Sequence, residues 1–278
     1  MLDEIPGAPP KAPRRKLARS SNAHPHLSQN VRLTRTIDAL YDATLALLYP
    51  QTCAACGAAS VEARADAPAC AACWEAATLF DEETPLCVKC GAASTGALAP
   101  EARGALRCGR CEDESFTAAR ACGAYKGALR ASVLALKREP SVASRLARML
   151  ADACGRAPLD NATRILPVPL HPLRLRERGF NQAASLARAL AARTRLPCDE
   201  WSLTRVVHAE RQRAGMDARG RRESVDAAFA VTRPRLVRGE RVLLVDDVLT
   251  TGATVSACAG VLRAAGACEV YVLTVARA

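Results

Sequence analysis

The chain has 278 residues, of which 39 are Lys or Arg and 28 are Asp or Glu, and half are apolar, giving a formal charge of +11. That composition supports a buried core, in one large domain or two unequal ones, and excludes disorder throughout. The longest early apolar run, Leu45 to Tyr49, falls far short of the ~20 residues that span a bilayer. The first 30 residues carry positive charge but no apolar signal segment, so no integral membrane segment is expected and the cytoplasm is the expected location.

Residues 1–30 are proline-rich, with five basic side chains from Lys11 to Arg19 and no hydrophobic period, which predicts a disordered basic tail. From Val31 to Tyr49, Leu33, Ile37, Leu40, Tyr41, Leu45 and Leu48 recur at helical spacing until Pro50, predicting an amphipathic helix over 31–49. Residues 50–116 have little periodicity, so their cysteines must organise them. From residue 119 the pattern alternates: a short strand to Tyr125, helices over 129–137 and 142–154, and a strand over 164–168. A helix over 181–193, a strand near 201–207, the strong strand 242–245, a helix over 254–265 and a last strand over 270–275 complete it. Such alternation predicts an α/β domain over 119–278, a mostly parallel sheet with helices on both faces. Charge divides along the same lines: +3 over 1–49, −4 over 50–122 and +12 over 123–278, so an anionic ligand belongs to the C-terminal part.

Thirteen cysteines in a reducing compartment point to metal or thiol chemistry in preference to disulfides. Eight form four C-x2-C pairs: Cys53/Cys56, Cys70/Cys73, Cys87/Cys90 and Cys108/Cys111. Each pair places two thiolates on one tight turn, and two turns complete a tetrahedral four-thiolate zinc site. Gaps of 13 and 17 residues inside the first and second halves suit hairpins, so sequential pairing gives a double zinc ribbon with about two structural Zn²⁺. Interleaved pairing, iron–sulfur ligation and redox-active pairs are the alternatives. Gly57, Gly91 and Gly109 are expected to supply positive φ at the knuckles. Cys122, Cys154, Cys198, Cys258 and Cys268 read as small buried hydrophobes. Metal removal is expected to unfold 50–116 and leave the C-terminal domain largely folded.

The segment Arg241-Val-Leu-Leu-Val-Asp246-Asp247-Val-Leu-Thr250-Thr251-Gly252-Ala253-Thr254 runs from a doubly buried strand into a helix. Its carboxylates are expected to emerge at the carboxyl end of that strand, where open α/β sheets bind ligands. The small and hydroxyl residues behind them form an anion cradle at a helix N-terminus. Carboxylates beside a phosphate cradle suit a ligand that brings hydroxyls and Mg²⁺ with its phosphate, such as a phosphorylated ribose.

This run resembles the phosphoribosyl pyrophosphate (PRPP) signature of type I phosphoribosyltransferases. The segment Ile165-Leu-Pro-Val-Pro-Leu-His171-Pro-Leu-Arg174-Leu-Arg176-Glu-Arg178-Gly179-Phe180-Asn181-Gln182, with the cysteine module ahead of it, resembles the competence protein F (ComF) family. Tyr125, Lys137, and the segment Arg205 to Phe229 with Gln212 and Arg221 are also similar, and Ser224 departs from the Asn usual there. The resemblance covers about 37–278. It implies a type I phosphoribosyltransferase fold in which Asp246 and Asp247 hold the ribose hydroxyls and residues 250–254 the 5-phosphate. His171, Arg174 and Arg178 would then lie on the pyrophosphate loop, and the six arginines from Arg205 to Arg222 on a hood over the ligand. The function implied is Mg²⁺-dependent transfer of phosphoribose from PRPP to an unidentified acceptor, linked to competence and DNA uptake. The alternative is a non-catalytic accessory protein that handles single-stranded DNA with the DNA-uptake machinery.

Overall fold

The computed structural model describes residues 51–58, 61, 63–94, 105–206 and 228–278. The expected tail over 1–30, the helix over 31–49, and Gln212, Arg221, Ser224 and most of the arginine-rich hood lie outside the described residues. In chain order the main elements are α1 (Ala71–Glu75), β1 (Ala118–Ala124), α2 (Gly127–Leu136), α3 (Ser144–Cys154), β2 (Arg164–Pro167), α4 (Pro172–Arg178) and α5 (Gln182–Thr194). After them come β3 (Leu203–Arg205), β4 (Phe229–Val231), β5 (Arg241–Leu249), α6 (Ala253–Ala264) and β6 (Glu269–Arg277).

Four strands form a parallel sheet in the order β1-β6-β5-β2. The central strands read as unbroken apolar runs because both faces are covered. Leu243, Val245, Leu273 and Val275 point into one core with Leu129 and Val133 of α2, Leu146 and Leu150 of α3, and Leu186 and Leu190 of α5. Val242, Leu244, Val270 and Val272 point the other way, to Val255, Ala259 and Leu262 of α6. Each fully buried leucine contributes about 1.5–3 kcal/mol by leaving water.

Two expectations about strands need correction. The strand near 201–207 does not join the parallel sheet; Leu203–Arg205 pairs antiparallel with Phe229–Val231 in a separate ribbon. The edge beside β2 is taken instead by 197–199, where the Ile165 N–H donates to Pro197 O and the Asp199 N–H to Ile165 O, both at 2.9 Å. The Asp199 carboxylate then accepts from the N–H groups of Trp201 (2.9 Å) and Ser202 (3.0 Å), a local turn that swings the chain off the sheet. The strand 242–245, in turn, does not stop where its apolar run stops. Its ladder with β6 continues through Asp246↔Thr274, Val248↔Ala276 and Leu249↔Arg277, so the carboxylates lie inside the strand.

The cysteine module packs as part of the α/β body. Cys53, Cys70 and Trp74 belong to the core of α2, α3 and α5, whereas Cys87, Cys90, Cys111 and Phe116 belong to the core of α6. The chain between the two quartets runs antiparallel to β1: the Phe80 N–H donates to Cys122 O, and the Ala124 N–H to Thr78 O, both at 2.9 Å. A Cβ on Gly123 would stand 2.3 Å from Thr78 O, so this backbone approach admits glycine alone. The sheet edge at β1 is thereby covered, and the two parts share both cores.

Candidate functional site

The structure pairs the cysteines sequentially: Cys53, Cys56, Cys70 and Cys73 form one quartet and Cys87, Cys90, Cys108 and Cys111 the other, with all Sγ atoms of a quartet within 4.8 Å of one another. Four thiolates at ~2.3 Å from one ion stand roughly 3.8 Å apart. Here Cys53–Cys73 and Cys87–Cys111 are both 3.7 Å apart, Cys108–Cys111 3.5 Å and Cys90–Cys108 3.4 Å, so the donor set fits a structural zinc in each ribbon. Burial acts against ionising Cys53, but N–H groups of Cys70, Cys56 and Ala55 aimed at its sulfur bring its pKa down to about 6. Cys87 likewise falls to about 6, against its burial, through the N–H groups of Cys90, Cys108 and Lys89.

Gly57 and Gly91 have φ of +73° and +65°, as the knuckles require. Gly109 does not; it opens a 3-10 turn over Gly109–Cys111 that turns the chain without a left-handed residue. Of the remaining cysteines, Cys122, Cys154 and Cys258 are buried, Cys198 is half-buried, and Cys268 is exposed in the turn before β6, contrary to the expectation for it.

Within β5, Asp247 is buried, 8% exposed, and has partners that its place in the sequence does not announce. Gln182 Nε2 lies 3.5 Å from its Oδ2 and Lys137 Nζ 4.0 Å from the same atom. Burial, then the like charge of Asp247, push the Asp246 carboxyl well above the usual carboxylate range. Past the strand, Thr250 and Thr251 are exposed and Gly252 turns the chain at φ +92° into α6. Ala253 and Thr254, exposed, open that helix, and the Ala253 N–H reaches Thr251 Oγ1 at 3.4 Å. A carboxylate stands close by: a Cβ on Gly252 would meet Glu114, in the arm leaving the second ribbon, at 3.4 Å.

The segment expected as a pyrophosphate loop is largely helix. Pro172 opens α4, His171 Nδ1 accepts the Leu173 N–H at 3.2 Å, and Gly179 at φ +78° ends it after seven residues. Arg178, Asn181 and Gln182 then have mechanical tasks. Asn181 caps α5 through the Ala183 N–H (3.0 Å) and donates to Val168 O beyond β2 (3.0 Å), and Arg178 donates to Gln182 Oε1 at 2.6 Å. The chain Arg178–Gln182–Asp247 thus links α4 to β5. Arg174 and Arg178 meet Lys137 and Glu177 around an open cleft of about 270 Å³; His171 is spent on its cap and does not line it. Lys137 and Gln182 are the site neighbours that spacing left without a role, because they lie 110 and 65 residues from Asp247 and meet it only through the sheet.

Two family models match the chain, a phosphoribosyl transferase domain over residues 175–278 and a double zinc ribbon domain over 44–112. Competence protein F of Haemophilus influenzae is 40% identical over 116 residues, covering 41% of this chain and 50% of that protein. DNA utilization protein YhgH of Salmonella typhimurium is 34% identical over 186 residues, covering 64% of this chain and 81% of that protein. The match to YhgH of Escherichia coli K12, also 34% identical, covers 52% of this chain and 64% of the relative. The chain thus spans half the length of the Haemophilus relative and about four-fifths of the Salmonella one. Among solved structures, a glutamine PRPP amidotransferase from B. subtilis aligns at 24% identity and a TM-score of 0.34, over 53% of this chain and 26% of that one, too slight a likeness to carry weight. Among the described residues no helix is long and apolar enough to cross a membrane. With two four-cysteine ribbons built onto a phosphoribosyltransferase-like parallel sheet, the chain belongs to the family of Competence protein F and DNA utilization protein YhgH.

Proposed function

We propose that the chain binds PRPP with Mg²⁺ at the carboxyl end of β5 and transfers phosphoribose to an acceptor nitrogen, the C1–O bond to pyrophosphate breaking as a C1–N bond forms. The observation that carries this reading is one continuous run: Asp246 and Asp247 in β5, then the Gly252 turn, then the opening of α6, with a cleft of Lys137, Arg174 and Arg178 beside them. Asp246 and Asp247 would orient the ribose hydroxyls, and Thr250, Thr251, Gly252, Ala253 and Thr254 would enclose the 5-phosphate with backbone N–H groups and hydroxyls. Arg174 and Arg178 would stabilise charge growing on the departing pyrophosphate, with His171 fixing the helix that presents them. The hard oxygen donors of the acidic pair suit Mg²⁺, which when bound supplies further neutralisation of the diphosphate. The test is release of pyrophosphate from PRPP across a panel of bases, amines and nucleotides. Release that depends on one acceptor and vanishes in Asp246→Asn/Asp247→Asn supports transfer; none with any acceptor, alongside intact PRPP binding, leaves a binding site without catalysis.

A second reading makes the chain an accessory protein that handles single-stranded DNA during uptake, with the ribosyl-phosphate pocket binding or regulating. It is favoured by the charge of +12 over 123–278 and by the relatives' names, Competence protein F and DNA utilization protein. Replacing Arg174, Arg176 and Arg178 with Ala should then weaken DNA binding equally for all sequences and flatten its salt dependence, by roughly 0.7 slope units per lost contact.

A further inference from the structure

The chain has two tryptophans with opposite fates: Trp74 is 2% exposed in the core, and Trp201 is 68% exposed on the β3–β4 ribbon. An indole this exposed contributes little to folding, yet its backbone is held firmly. The Trp201 N–H donates to Asp199 Oδ1 at 2.9 Å, Thr232 Oγ1 donates to Trp201 O at 2.8 Å, and the next residue, Ser202, is fully buried. The segment that adjoins it is cationic. The ribbon pairs Leu203 with Val231, and the Thr232 N–H donates to Ser202 O at 2.8 Å, so Arg233, the next residue, leaves the ribbon at the end where Trp201 enters it. Arg233, Arg235 and Arg238 are exposed on the segment after β4. The carboxylates that flank this face in sequence are already held: Glu200 by Arg188 at 2.7 Å, and Glu240 by Arg164 at 3.3 Å.

We infer that this ribbon face, centred on Trp201 and Arg233, is a stacking platform for single-stranded DNA. The inference rests on the second reading above and adds the base contact which that reading lacked, since no aromatic lies between Arg205 and Arg222. An exposed π-surface with exposed arginines on the adjoining segment matches a strand whose base faces are open and whose phosphates are negative; a duplex hides those faces in its own stack. Holding the backbone beneath the indole in advance also lowers the ordering cost of binding.

The test uses intrinsic fluorescence of the full chain, in which Trp201 is the accessible emitter, with an oligo-dT strand as probe and anisotropy of a labelled copy as a second readout. Oligo-dT should quench the wild type, and an equal concentration of duplex should not. Trp201→Ala should weaken binding by roughly five- to a hundredfold in anisotropy, Trp201→Phe should retain most of it, and Arg233→Ala should flatten the salt slope. Oligo-dT that binds without quenching, or binds Trp201→Ala like the wild type, overturns the platform while leaving the DNA-handling reading intact. No binding at all overturns both, and PRPP binding bears on neither.

Discussion

The two cysteine quartets have the same ligand pattern and different neighbours. The first packs against the core of α2, α3 and α5 and leaves Cys56 exposed: Trp74 beside it is buried, donates to Asp66 O at 2.7 Å, and lies under the Arg145 guanidinium at 5.0 Å. The second is wired to the ligand end of the sheet. Arg277 of β6 donates to Cys90 O at 2.7 Å and approaches Cys90 Sγ at 3.6 Å, and its backbone pairs with Leu249, the residue before the Thr250–Gly252 turn. The arm leaving this quartet sets Glu114 beside Gly252, and its Ser115 N–H donates to Ser256 Oγ of α6 at 2.8 Å. Ligand spacing makes a metal site; the elements packed around it determine what its loss disturbs.

That difference predicts the largest effect. Cys70→Ala and Cys87→Ala should each lower zinc from about two ions to about one per chain and should destabilise the body, because each quartet lies in a shared core. Only Cys87→Ala should also weaken PRPP binding by several fold in whatever protein stays folded. Equal loss of PRPP affinity in both variants, measured by calorimetry beside elemental analysis, would break the comparison. Next in size, Asp246→Asn/Asp247→Asn removes two charge-assisted contacts of ~1.5–3 kcal/mol each, so PRPP affinity should fall tenfold or more while zinc content stays at two. Gly123→Ala, which forces a Cβ onto Thr78 O, should cost about 1–3 kcal/mol by prying the module from β1, seen as a lower denaturant midpoint.

Asp246→Asn alone tests the electrostatics of the strand. A carboxyl whose folded-state pKa is raised contributes stability at low pH that is lost as pH rises through that value. The variant should therefore be more stable than the wild type at neutral pH, and the advantage should vanish toward pH ~3, below the ordinary aspartate value. A constant difference across that range would mean that the gain comes from packing. The smallest effect is expected from Glu114→Gln, which removes a negative charge beside the phosphate turn and should tighten PRPP binding about two- to threefold at low salt. No change there would place the second quartet's influence in Arg277 alone.

Much of this molecule was legible in one dimension. The apolar runs of β5 and β6, the helical spacing of α2, α3, α5 and α6, and the four C-x2-C pairs are local patterns, in which three or four residues carry the whole signal. The acidic pair and the turn behind it were legible for the same reason. The ends of elements were less so: β5 runs past its apolar residues because β6 supplies a ladder for Asp246 through Leu249, and no residue in the run announces that partner.

Sequence by itself determined the four C-x2-C pairs and the strand–turn–helix run, since their geometry follows from bonds within a few residues. Tertiary structure decided that the cysteine pairs combine sequentially, which core each quartet enters, that Lys137 and Gln182 meet Asp247, and that Trp201 stands in solvent. These contacts join residues tens to more than a hundred positions apart. Their partners are selected by sheet order and by the packing of helices across it, and a side chain's own neighbours in the chain do not specify either.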